Sequence, residues 1–454
     1  MNSPPAARPA PANRTAPRGR PASPGPRLPA ATAITKPAAV ERKPGSTGLP
    51  RLRLRKNLAK SIHAGHPWLF RDAVEADHPL SDGTVVLITN AEGRALGRGF
   101  WSATTPIAVR MLTTDAADAV ATMVPARLAA ALAQRLEWLD RLRTNAFRWV
   151  NGEADRLPGL HLDVYASVAS VRFDGPGARA FYLHPALDFA ATVMKTGAPL
   201  GLSALVERHR GARAQGAAEA AEAREGLILA GTLPGDPLEV LENGLRFGVD
   251  VLRGQKGGLF LDQRDNRARV EAMASGRRVL NLFGYTGGFS VYAARGGARA
   301  TTTVDVAPGA IAAAARNFQR NGFPADAHAC IAADVFAFLR QAVREKRTWD
   351  LVISDPPSFA PSRRALPAAV AAYERLHRLC TQVVSPDGLF CAASCSSHVD
   401  EATFLRTVSD GVHAAGRQFS LREVHGAGPD HPVAAFFPEG RYLKFAVGTV
   451  KLRG

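Results

Sequence analysis

Beyond Val251 the sequence alternates short apolar runs with longer amphipathic ones, and few folds accommodate that rhythm. Residues 279–283, 300–306, 327–332, 350–355 and 388–394 read as strands, with helices over 287–295, 308–320, 335–345 and 368–384. Such alternation implies a parallel sheet with helices on both faces, because each crossover must return the chain to the same end of the sheet. Two further runs, near 421–424 and 442–450, extend one edge. In open sheets of this kind a ligand lies outside the carboxyl ends of the strands.

Those strand ends carry the chemistry. Leu351, Val352 and Ile353 run into Asp355-Pro356-Pro357, where two prolines remove donors and fix φ, so the ladder stops and the backbone stiffens at the crevice. Asn281-Leu282-Phe283-Gly284-Tyr285-Thr286-Gly287-Gly288-Phe289 follows the first strand. Its glycines permit close approach of backbone to a ligand, but the spacing of a pyrophosphate-binding G-x-G-x-x-G loop is missing. Asp305 ends the second strand, a position suited to ribose hydroxyls, and Asp334 ends the third, where an acid can accept from an adenine amino group. Asp355 ends the fourth. A single acid of this kind is usually a helix N-cap, and Asp334 before Val335 has that alternative. Three of them around a glycine loop point to a nucleoside-type cofactor.

The fifth strand delivers Cys395-Ser396-Ser397-His398 beside the Asp355 loop. A thiol there is placed to act as a nucleophile, and a neighbouring dipole or acid–base group would raise its thiolate fraction. Cys330, Cys380 and Cys391 read as small buried hydrophobes. Cys391, Cys395 and His398 lack a fourth local ligand, so no metal is expected.

A chain of 454 residues exceeds one core, so two or three domains are expected. The net charge is +17; residues 1–50 hold eight Lys or Arg against Glu41, leaving +10 on the remainder. A body this basic fits a polyanionic partner, nucleic acid foremost, although a general bias toward Arg and Ala would raise the charge too. Residues 1–50 carry 12 of the 32 prolines and no hydrophobic period, which marks a disordered tail. No apolar run has the length of a membrane span, and Met1-Asn2-Ser3-Pro4-Pro5 lacks the apolar core of a secretory signal. With four cysteines and no disulfide spacing, a cytoplasmic location away from membranes is expected.

Residues 51–115 change to short strands and turns, as in a small β-barrel, with Arg51, Arg53, Arg55, Lys56 and Lys60 as a basic face. Residues 116–250 read as a smaller α/β unit. It opens with a helix over 116–147 on the spacing of Leu128, Leu132, Leu136, Leu139 and Leu142, and continues with a helix over 182–195 and an exposed segment at 213–225. Residues 251–454 form the strand–helix domain.

Taken together, Gly257 to Arg267, Asn281 to Ser290, Asp355-Pro356-Pro357-Ser358-Phe359 and Ser394-Cys395-Ser396 resemble bacterial class I S-adenosylmethionine-dependent 23S rRNA (cytosine-C5) methyltransferases of the large subunit. Gly65-His66-Pro67-Trp68 is similar to that family's N-terminal PUA domain. Gly152 to Leu160 is similar to the start of its central domain. Asp430-His431-Pro432-Val433 and Pro438 to Lys444 are similar to its C-terminal end. The tail is no part of the family pattern, and Gln255-Lys256-Gly257-Gly258 stands where a Lys-Thr-Gly run is commoner.

The resemblance implies a Rossmann-like methyltransferase domain preceded by a central α/β domain and a PUA-like barrel, with S-adenosyl-L-methionine as cofactor and 23S rRNA as partner. It implies Cys395 as the nucleophile that adds to cytosine C6, with Asp355 hydrogen-bonding the base at N3 or its exocyclic amine. Asp305 would hold the cofactor ribose, Asp334 its adenine, and Asn281, Phe283 and Gly287 its methionine side. Gln263, Arg264 and Asp265 would close the cofactor site. A guanine- or adenine-nitrogen methyltransferase, or an RNA-binding assembly factor without turnover, are the rival readings. A homodimer is compatible with the sequence, but no pattern argues for one.

Overall fold

The computed structural model describes residues 48–208, 226–235, 238–254, 258–360 and 362–452. The expectations for nearly all of the tail, for 213–225 and for Gln255 to Gly257 lie outside these residues. Leu49–Gly454 forms one compact unit.

Seven strands organise its C-terminal part: β1 (Arg278–Leu282), β2 (Ala300–Asp305), β3 (His328–Ala332), β4 (Trp349–Ser354), β5 (Val384–Ser394), β6 (Arg417–His425) and β7 (Lys444–Leu452). Their order across the sheet is β3-β2-β1-β4-β5-β7-β6. The first five are parallel, and β7 slots antiparallel between β5 and β6. A helix over Arg264–Met273 precedes the sheet, and those that follow its strands are α1 (Gly288–Arg295), α2 (Pro308–Arg320), α3 (Val335–Arg344), α4 (Leu366–Gln382) and α5 (Glu401–Ala414).

Period-2 alternation sends successive apolar residues of the central strands into two different cores. Leu280, Leu282, Val352 and Phe390 join one core with Leu339, Tyr373 and Phe404, while Val279, Leu351, Ile353 and Cys391 face another with Val270 and Phe289. A strand covered on both faces is mostly apolar, and the polar side chains it does bury need partners, as Asn281 and Thr303 find in Ser290. The pairings Leu282↔Val304, Leu282↔Ser354 and Ser354↔Ala392 bring the ends of β2, β1, β4 and β5 level. Chain order breaks between β1 and β4, which opens the crevice where ligands bind in this architecture.

The N-terminal part is a six-stranded sheet over 51–113. Arg51, Arg53, Leu52 and Leu54 alternate outward and inward along its first strand, so the leucines enter the core and the arginines reach solvent. The basic face is partly neutralised: Arg53 and Arg55 meet Glu75, and Lys56 meets Asp72.

The middle part is a five-stranded sheet and a hairpin (Leu238–Glu242, Leu245–Val249), and here two helix expectations are corrected. The helix spans Val120–Leu136 and does not continue to 147. Asp140 accepts from the Leu142 backbone at 3.0 Å and turns the chain, Leu142 is 89% exposed, and Ala146–Asn151 is a strand. Similarly 182–195 divides at His184-Pro185, since a residue before proline avoids the helical region; helices Pro176–Tyr182 and Phe189–Thr196 flank the break.

One buried carboxylate fastens the middle part to the last. Asp430, 0% exposed, accepts both terminal nitrogens of Arg264 at 3.0 and 2.9 Å and the Arg148 backbone at 3.0 Å. Arg135, paired bidentately with Asp155, donates to the Asp430 carbonyl at 3.0 Å. Burial alone would raise the Asp430 carboxyl, but His431 and Arg264 outweigh it and hold it well below the usual carboxylate range.

Candidate active site

The turn after β1 is shaped by its backbone. Phe283, Tyr285 and Gly287 have φ of 57°, 46° and 81°. Two non-glycine residues in that region within three positions is an unusual concentration of strain, of the kind found at ligand sites. A Cβ on Gly284 would stand 2.5 Å from Thr303 Cγ2, so packing against β2 requires glycine there. Asn281, 1% exposed, donates to Ser290 Oγ at 2.9 Å, and its Oδ1 is buried without a donor.

Asp305 closes this turn. One of its oxygens accepts from the Tyr285 backbone and the other from Ala307, both at 2.9 Å. Each oxygen keeps a lone-pair direction for a further donor. Asp334 is exposed, and its Oδ1 accepts from the Ala337 backbone at 2.8 Å as the N-cap of α3. The capping reading therefore holds for one oxygen, and the second stays available. A groove beside the turn is lined by Gly258, Tyr285, Thr286, Ala307 and Arg316.

Gln263, Arg264 and Asp265 part company. Gln263, 2% exposed, donates to Asp355 Oδ2 at 3.0 Å while its own oxygen accepts from Asn266 at 2.7 Å. Arg264 is committed to Asp430 and lies over the Trp138 ring at 5.3 Å. With Asp265 it lines a separate cleft beside Trp138, Arg143 and Arg295, which none of the strand-end acids borders.

The Asp355 loop and the Cys395 turn are joined by hydroxyls. Ser358 Oγ meets Ser396 Oγ at 2.8 Å, and Tyr373 OH lies 3.2 Å from Ser396 Oγ and 2.9 Å from Ser394 Oγ. Tyr373 comes from α4 and is fully buried. Burial raises its phenol, the serines work against that, and nearby Cys395 and Asp355 add to the rise, so it remains a donor. Cys395 is partly exposed between the two serines. Cys380 and Cys391 are buried, and burial pushes the Cys380 thiol up to about 12 and Cys391 higher still. Cys330 is half-buried. No group of three or more His, Cys, Asp or Glu that could hold a metal occurs among the described residues.

Sequence reasoning passed over Tyr373, Ser358, Ser396 and Lys444 as site residues. Lys444 Nζ, 4% exposed, donates to the carbonyls of Ser396 at 2.7 Å, Val399 at 2.6 Å and Tyr442 at 2.9 Å, directly behind the Cys395 turn. A lysine within a C-terminal run of apolar residues was the available signal.

Residues 215–415 match the family model described as S-adenosylmethionine-dependent methyltransferase, and residues 52–114 match that of a PUA-like domain. The chain is 36% identical over 408 residues to a ribosomal RNA large subunit methyltransferase of Deinococcus radiodurans, covering 88% of this chain and 97% of that one. To ribosomal RNA large subunit methyltransferase I of Shewanella amazonensis it is 35% identical, covering 88% and 99%. Among solved structures, a chain from Streptococcus mutans described as a SAM-dependent methyltransferase superposes with a TM-score of 0.76 at 23% identity, over 88% of this chain and all of that one. Another, described as a methyltransferase complexed with SAH, gives 0.76 at 24%. Among the described residues no helix is long and apolar enough to cross a membrane.

Proposed function

Because the chain belongs to the family of S-adenosylmethionine-dependent ribosomal RNA large subunit methyltransferases, we propose that it methylates C5 of a cytosine in 23S rRNA through a covalent adduct to Cys395. The observation that carries this reading is the joining of the turn that bears Cys395 to the Asp355 loop through the Ser396–Ser358 contact, with Tyr373 behind it. A transfer to a base nitrogen, which already has a lone pair, needs no thiol held in that place.

The residues fit the cofactor. Asp305 presents two oxygens at the end of β2 for vicinal ribose hydroxyls, and the second oxygen of Asp334 can accept from the adenine amino group. Asn281, with a buried oxygen lacking a donor, and Phe283 and Gly287 on the strained turn form the methionine side. When bound, S-adenosylmethionine supplies an electrophilic methyl group and departs as S-adenosylhomocysteine.

C5 of cytosine is a weak nucleophile. The Cys395 thiol gives its proton to solvent and the sulfur adds to C6, moving the C5–C6 π electrons so that C5 becomes enamine-like. Asp355, held by Gln263, hydrogen-bonds the exocyclic amine or N3 and so supports that electron flow. After methylation the C5 proton passes to water or Asp355, the C6–S bond breaks, and the thiolate returns. Target access requires an unpaired or flipped nucleotide. Arg51 on the PUA-like sheet and Lys60 on the short helix Ala59–His63 beside it offer phosphate contacts that position RNA without reading its sequence.

The test is mass spectrometry of nucleosides from 23S rRNA incubated with the protein and S-adenosylmethionine, with Cys395→Ser in parallel. New 5-methylcytidine that disappears in the variant supports both base and nucleophile. A methylated purine that survives the substitution rejects both.

A further inference from the structure

Lys444 opens β7 directly opposite Ser394, the residue before Cys395, in the antiparallel β5–β7 register. Its side chain runs behind the turn that carries the thiol. Three carbonyl oxygens, of Ser396, Val399 and Tyr442, surround Nζ within 2.9 Å. A neutral amine has two N–H bonds and would turn its lone pair on one of them, so the arrangement calls for an ammonium. Two of the three carbonyls lie one and four residues beyond Cys395, which makes the turn's shape depend on this one group.

The charge is set in an unusual place. Among the described residues Lys444 makes no ion pair with a carboxylate. The ionisable groups facing it are Cys395 on the turn and Asp400 and Glu401 at the start of α5. Asp400 and Glu401 are exposed, and Asp400 is already engaged as a helix cap by Thr403 at 2.7 Å. Burying an ammonium without a carboxylate partner is costly, and an apolar side chain would hold β7 in place as well. Burial pulls Lys444 down to about 8, and Cys395 acts in the opposite direction.

We propose that Lys444 is the positioning residue for Cys395: it fixes the turn through three backbone carbonyls and places a buried positive charge that favours the thiolate over the thiol. This rests on the reading of Cys395 as nucleophile, but its test does not use methyl transfer. The thiol proton goes to solvent, and Lys444 keeps its own.

The experiment is iodoacetamide alkylation of the full chain across neutral to alkaline pH, with Cys395 followed by peptide mass spectrometry in wild type, Lys444→Met, Lys444→Gln and Lys444→Arg. Losing the charge should move the alkylation midpoint of Cys395 up by about one pH unit, which is roughly tenfold slower reaction near neutrality. Lys444→Arg keeps the charge and should stay close to wild type. Lys444→Gln retains two N–H donors for the carbonyls, so it carries the test if Lys444→Met does not fold. An unchanged midpoint in a folded, uncharged variant overturns the proposal. Full methylation by Cys395→Ser with a shifted midpoint would reject the nucleophile reading and leave the coupling intact. Lost methylation with an unshifted midpoint would do the reverse.

Discussion

Gln263 donates its side-chain amide to Asp355 Oδ2 at 3.0 Å, across 92 residues of sequence. The contact joins the segment that precedes the methyltransferase sheet to the acid that ends its fourth strand. Asn266 holds the other end of the same amide, so the orientation of Gln263 is settled from both sides.

Gln263→Leu removes that donor while keeping the approximate volume. We expect kcat for RNA methylation to fall about tenfold or more, equivalent to about 1.4 kcal/mol of transition-state stabilisation, with S-adenosylmethionine affinity little changed. Steady-state kinetics beside titration calorimetry would decide. A loss confined to cofactor binding would move Gln263 out of the base-facing site.

Asp305→Ala should weaken S-adenosylmethionine binding by about 1.5–3 kcal/mol, the range for hydrogen bonds to a charged group. The domain should remain folded, since the Ala307 donor is exposed and the Tyr285 donor only part-buried, so water can replace the carboxylate at the first. Unchanged affinity in calorimetry counts against the ribose assignment.

Asp334 has two tasks that substitutions can separate. Asp334→Ala loses the cap of α3 and should cost about 1 kcal/mol of stability in urea denaturation. Asp334→Asn keeps a capping oxygen but turns an NH2 toward the adenine amino group. It should preserve stability and weaken the cofactor. Equal affinity for Asp334→Asn and wild type would leave Asp334 as a cap alone.

Asp430 predicts a particular acid sensitivity. Its carboxyl is held below the ordinary value of 3.8, so below that value the unfolded chain binds a proton that the folded chain refuses. The stability it contributes is therefore complete above about 3.8 and lost as the pH falls further. Asp430→Asn should destabilise by about 3–5 kcal/mol near neutrality, because the buried Arg264 loses its bidentate carboxylate and keeps only the partly exposed Asp265 at 3.2 Å. Urea midpoints measured down to acid pH should show wild type and variant converging. A gap that is independent of pH would mean that lost packing, and not charge, is responsible.

Much of the site is legible before folding is known. Alternating apolar and amphipathic runs imply a parallel sheet, and a parallel sheet brings its carboxyl ends level, so Asp305, Asp355 and Cys395 fall at one edge once the strands are recognised. That inference needs only local periods and chain direction. It fails where a period outlasts its element. Leu139 and Leu142 keep helical spacing beyond Leu136, yet Asp140 turns the chain and Leu142 faces water.

The groups that hold the chemistry in place are of another kind. Lys444 reaches the Ser396 carbonyl from 48 residues away, Tyr373 meets Ser396 from 23, and Arg264 meets Asp430 from 166. No local spacing links such partners, because each contact depends on two elements being packed by the rest of the core. Sequence by itself determined the sheet and the acids and thiol at its edge, since strand periodicity and direction dictate them, while the cofactor followed from the motifs shared with the methyltransferase family. Tertiary structure alone decided which buried charges and hydroxyls orient those groups, because a buried polar atom takes whatever partner the packed interior brings within hydrogen-bond distance.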